Sequence, residues 1–257
     1  LGVRLLSWPH LLQGDATMVA ASATILNPVL AGMAAERPGP ANTNRRTPAD
    51  AGLPDPARLS AQLFQLVSTS LDGPKGIHPQ SFIAAFGALA GRSARWIVRR
   101  EIEAGLIADD FRTPSGVRRP GVTVSAHVDR HVHDLTRDSY AATLVPEMMA
   151  AGAGWLPHIN AMIQHNFMAI NAPAYPDYTV AEKHMPEIPP QALLIMLWEN
   201  TLTCLRNAPE AETTAQKAFA LATVKAAAMY EKKVPLAVSG QLALETAIAM
   251  SKLDYGF

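Results

Sequence analysis

Apolar residues recur at helical spacing along most of the chain. Between Ala57 and Leu71, the positions Leu59, Leu63, Phe64, Leu66, Val67 and Leu71 form one stripe, and Asp72-Gly73-Pro74 then stops the helix. A second helix is expected to start at Pro79, a favoured first-turn residue, and to end near Gly105 with Phe82, Ile83, Phe86, Leu89, Trp96 and Ile97 on its buried side. Gly87 and Gly91 lie four apart on that helix and leave room for another helix to approach closely. Thr113-Pro114-Ser115-Gly116 then reads as the reverse turn of a small β hairpin within 111–125. From Gly121 to His133 the period drops to two. Val122, Val124, Ala126, Val128 and Val132 alternate there with Thr123, Ser125, His127, Asp129, His131 and His133, which is the pattern of a half-buried strand broken only at Arg130.

After His133 the pattern is helical to the end. Thr136 and Asp138 are candidate caps for a helix carrying Leu144, Val145, Met148 and Met149, and a further helix takes Pro157 in its first turn and carries Ile159, Met162, Ile163 and Phe167. The segment 171–190, with five prolines and two tyrosines, is long for a connection, and such loops are often functional. Helices over 191–205, 211–232 and 235–253 close the chain. Six prolines between Pro28 and Pro56 mark a linker. The expected organisation is a flexible segment and linker over 1–55, then one mainly α, multi-helix domain over 56–257 with a small antiparallel β hairpin and strand near 110–133.

Composition narrows the function classes. Lys plus Arg (22) balance Asp plus Glu (22), so no net field draws nucleic acid or an anionic membrane surface. The run Arg92, Arg95, Arg99, Arg100, Arg112, Arg118 and Arg119 before a hairpin resembles a winged helix only loosely, because Glu101, Glu103, Asp109 and Asp110 offset it. A single cysteine, Cys204, excludes an intrachain disulfide, zinc fingers and CxxC redox chemistry, and suggests a reducing compartment. No stretch reaches the roughly 18–20 uninterrupted apolar residues of a membrane-spanning helix. Ala16 to Ala35 comes nearest, interrupted at Asn27-Pro28, and is open to two readings, a secretory signal or an unstructured start. Since Leu1 is not a methionine, Met18 and Met33 are candidate natural starts. A cytoplasmic location is expected.

Most motifs with a known mechanism are missing: no GxxxxGK[ST], GxGxxG, GxSxG, HExxH or EF-hand loop, and no ExxH for a di-iron bundle. One cluster invites chemistry, His127-Val128-Asp129-Arg130-His131-Val132-His133-Asp134. On a strand, residues two apart share a side about 6.5–7 Å apart. His131 and His133 would then chelate one divalent transition metal, zinc, iron or manganese, with His127 or Asp129 as third ligand and a metal-bound water for hydrolysis. The competing readings are a wet strand face and a pH-sensitive interface. His158 and His165, seven apart on one helix, would serve only as further ligands to that cluster. Glu199 and Glu245 are lone acids in very apolar helices, either at a wet edge or buried as site residues.

Two segments, Gly76 to Gly91 and Glu245 to Lys252, resemble the start and end of a family of uncharacterised bacterial proteins of similar size. The resemblance implies a helical cytoplasmic protein and no particular activity. Where that family carries aromatic and glycine residues, this chain carries the histidine cluster, so a metal site would be peculiar to a subgroup. With no complete catalytic set, the leading expectation is a non-catalytic helical protein that binds a protein partner or self-associates as a homo-oligomer, for instance through 171–190. A metal-dependent hydrolase is the alternative, and neither a membrane nor nucleic acid is expected as partner.

Overall fold

A helix buried on every side must be central, and every residue from Ser81 to Arg95 is buried. The computed structural model describes residues 55–156, 158–173, 175–208 and 211–254. The expected flexible segment and linker therefore lie, apart from Asp55, outside the described residues. In chain order the helices are α1 (Pro56–Leu71), α2 (Pro79–Glu103), α3 (Ala126–His133), α4 (Tyr140–Ala150), α5 (Ile159–Ala169), α6 (Pro190–Arg206), α7 (Ala211–Met229) and α8 (Leu236–Met250). A single 3₁₀ turn, Glu182–His184, precedes α6. Mainly α is therefore the observed class.

Local chemistry fixes the ends. Asp55 accepts from the Ala57 and Arg58 amides at 3.1 and 3.2 Å and starts α1. Gly105, at φ 70°, ends α2 while the Leu106 amide returns to the Glu101 carbonyl at 2.9 Å. Ser139, and not Thr136 or Asp138, caps α4 by accepting from the Ala142 amide at 3.0 Å.

α2 touches α1, α3, α6, α7 and α8, and it buries even Ser93, Arg92 and Arg95. Its contact with α8 is the most extensive, and Gly87 and Gly91 make it so. A Cβ on Gly87 would run into the Ala243 carbonyl and lie 3.1 Å from Ala243 Cα; one on Gly91 would run into the Ala247 carbonyl and lie 2.9 Å from the Ser251 nitrogen. The expected close approach is therefore present, with α8 as the partner. Against α7, buried Gln216 donates to the Ala90 carbonyl at 3.2 Å and to Ser93 Oγ at 2.8 Å, which ties the two helices by polar bonds inside the core.

The expected hairpin and strand near 110–133 are not formed. Among the described residues that region holds only two isolated antiparallel bridges, Arg112 with Val124 and Val122 with Leu253, and Ala126–His133 is helical. Val128 and Val132 are four apart, so the same pair satisfies a strand of period two and a helix of period 3.6. Ser125 decides between them by accepting from the His127 and Val128 amides at 3.1 and 3.2 Å. Arg130, the break in the strand pattern, is an ordinary exposed position of the helix.

The segment 171–190 is pinned to the helices at Tyr175, Thr179 and Ile188. Tyr175 is buried and its hydroxyl reaches Asn166 Oδ1 at 2.7 Å. Glu245, 1% exposed, accepts from the Thr179 amide at 2.9 Å and from the Thr179 hydroxyl. No helix of the described residues is long and apolar enough to cross a membrane.

Candidate functional site

The helix α3 is held by its first turn. Asp110 accepts from the Ala126 amide at 2.7 Å and from the Ser125 hydroxyl; desolvation would raise its carboxyl, but these two bonds and the neighbouring His127 outweigh it and hold the group below the usual range. Val128 and Val132 face the core, so the remaining positions divide between two sides of the helix. At 3.6 residues per turn, residues two apart are about 200° apart. The shared face that a strand would give His131 and His133 is therefore absent. His131 Nε2 lies 3.9 Å from Glu101 Oε2, whereas His133 Nε2 lies 3.4 Å from Asp129 Oδ1. His127 Nδ1 is 3.3 Å from the Arg130 guanidinium. Among the described residues, no group of three or more His, Cys, Asp or Glu side chains is placed to hold a metal ion. His158 begins α5 without a side-chain cap, and His165 pairs with Asp177 at 3.4 Å.

Asp129 leads to a different site. It pairs with Lys252, which follows α8 and is almost fully buried. Burial alone would raise the Asp129 carboxyl, but the neighbouring His133 imidazole and Lys252 outweigh it and hold the group below the usual carboxylate range. Both residues line a cavity of about 400 Å³ between α3, α5, the end of α8 and the loop through Arg112 to Val124. Ile163, Phe167, Ile170 and Ile248 supply apolar walls. That combination, an apolar cavity with a few convergent polar groups, is the usual make-up of a small-molecule site.

Two further polar residues line this cavity. Asn166 is 2% exposed, its Oδ1 is engaged by Tyr175, and its Nδ2 has no hydrogen-bond partner. A buried amide with an idle donor costs about 1–3 kcal/mol, which a ligand acceptor would recover. Arg112 stands at the mouth, exposed, with its backbone in the bridge to Val124 and its guanidinium in no ion pair among the described residues. Lys252 has three donor protons and spends one direction on Asp129.

Sequence reasoning singled out Asp129 and missed Lys252, Asn166 and Arg112 as its companions. Lys252 is 123 residues from Asp129 along the chain, and no local spacing joins them. Of the lone acids, Glu199 is exposed at the wet edge of α6, whereas Glu245 is buried and anchors the 171–190 segment. Comparison with protein-family models, with curated proteins and with solved structures finds no match to this chain.

Proposed function

We propose that the chain binds a small molecule with an apolar body and a carboxylate in the cavity between α3, α5 and α8. The idle Nδ2 of buried Asn166 is the observation that carries this reading, because a donor left unpaired in a cavity wall is a cost that a ligand acceptor removes. Arg112 adds a forked donor suited to a carboxylate, and Lys252 adds a second cation deeper in. The reading keeps to the non-catalytic class expected from the sequence, with a small molecule in place of a protein partner.

Thermal unfolding in the presence of hexanoate, decanoate and phenylacetate tests it. A carboxylate that fits should raise the melting temperature saturably, by about 2.7 kcal/mol of stability at a hundred times its Kd. Arg112→Gln, which keeps the backbone bridge, should weaken that effect about tenfold. If none of the three stabilises the protein, or if Arg112→Gln binds as well as the parent, the reading fails.

Association with a protein partner or a second copy is supported by one separate observation. Met168 is 86% exposed beside half-exposed Phe167 on α5, and Trp155 is 64% exposed just before it. Light scattering across a concentration series tests self-association, and a strict monomer would count against it.

A further inference from the structure

Continuing the row of Gly87 and Gly91 one and two turns further along α2, Arg95 and Arg99 stand beside Arg92 at helical spacing, and Arg206 joins them from the last turn of α6. The four guanidiniums line a cavity of about 220 Å³ with Trp96 and Trp198 as its flat walls. Arg92 lies 5.4 Å from the centre of the Trp198 ring. One carboxylate, Asp254, lines the same space and meets three of the arginines, Arg95 at 2.9 Å, Arg99 at 3.7 Å and Arg92 at 4.0 Å. From outside the cavity Asp109 reaches Arg99 at 3.5 Å. Among the described residues that line the cavity, Arg92, Arg95, Arg99 and Arg206 are the cations and Asp254 is the anion.

Arg95 is tied to its surroundings by Asp254 at 2.9 Å, the Thr123 hydroxyl at 2.9 Å and the Ser251 carbonyl at 3.1 Å. Arg95 is 2% exposed, and its burial, with the repulsion of Arg92 and Arg99, takes its pKa down to about 10 in spite of Asp254. Packing alone would be served by leucine or methionine at these positions, at no electrostatic cost. Arg206 is exposed, lines the cavity and makes no ion pair or hydrogen bond among the described residues. Its guanidinium is therefore available to a ligand without breaking an existing bond.

We infer that this cavity is an anion site for a compact dianion, a phosphate group or a small dicarboxylate, held by Arg206 and Arg99 at the opening and by the field of Arg92 and Arg95 behind them. Forked guanidinium donors fit both oxyanions. The volume admits such a head group with little else, so any larger body projects outward. This site shares no lining residue with the carboxylate pocket.

Isothermal titration of the full chain with inorganic phosphate and with succinate, at constant ionic strength held with sodium chloride, reads the inference directly. A saturable one-to-one isotherm with at least one dianion is expected, and which of the two binds tells the phosphate source from the carboxylate source. Arg206→Gln should weaken that binding by about tenfold or more while leaving the melting temperature in place, because no contact is lost. Arg112→Gln should leave it unchanged, which separates this site from the pocket of the proposed function. Absence of saturable heat with both dianions overturns the inference, as does an affinity that Arg206→Gln and Arg99→Gln both leave untouched.

Discussion

Gly91 shows how much a single missing methyl group can determine. Its hydrogen faces the Ala247 carbonyl, and the approach of α2 to α8 is set by that contact and its neighbour at Gly87. Gly91→Ala would gain about 1 kcal/mol in helix propensity. It would also force two backbones apart in a close-packed interior, which costs typically 1–3 kcal/mol and more where neither side can yield. We expect a net loss, read as a melting temperature lower by several degrees and a lower urea midpoint. Gly73→Ala is the control, since nothing lies within 4 Å of a Cβ there and its backbone is not left-handed. Equal stability of Gly91→Ala and Gly73→Ala would show that the α2–α8 contact is looser than described. At the same scale, Glu245 illustrates a buried acid that accepts from Gln241 on its own helix and from the amide and hydroxyl of Thr179, which makes it an anchor for a loop.

At the scale of elements, α3 responds to pH through His131. Burial pushes this imidazole below its ordinary value, opposed by Glu101 at 3.9 Å and reinforced by His127 and Arg130. The folded pKa is the lower one, so between it and about 6.5 the unfolded chain holds more protons. Stability from this residue is therefore complete above about pH 6.5 and falls as pH drops towards the folded value. Urea midpoints of the parent and His131→Gln, compared at pH 8 and pH 5, should converge at the lower pH if the parent starts higher; a parallel offset would refute the linkage. The long helices were legible because each carries its own stripe and its own stop, as in Leu59, Leu63 and Val67 of α1 before Asp72-Gly73-Pro74. The short helix α3 was not, since valines at 128 and 132 fit either period and its cap partner Asp110 lies 15 residues upstream of Ser125. Of the candidate pocket only Asp129 was legible. Asn166 owes its role to burial and to Tyr175, and Lys252 to a pairing across the fold, and neither fact has a local signature.

Across the whole molecule, burial is concentrated around α2, which touches five other helices, whereas α5 buries only Met162 and Asn166. Amide exchange should follow this gradient: the middle turns of α2 exchange only through global unfolding, and α5 with the 105–125 loop through local openings of lower free energy. Hydrogen exchange read by mass spectrometry checks it, and an α2 that exchanges as fast as α5 would contradict the described core. Ligand binding in the carboxylate pocket should slow exchange in α5 first, because Ile163, Asn166 and Phe167 are the pocket's share of that helix. The partnership of α2 with α8 also has a consequence for how the protein is made. A ribosome releases α2 long before α8, whose first residue comes 133 positions after Glu103 (236 less 103). At 5–20 residues per second the glycine face waits on the order of ten seconds for its mate. During that interval α1, α3, α6 and α7 can cover other sides of α2, but the glycine face stays open, and it is the surface that a ribosome-bound chaperone would hold.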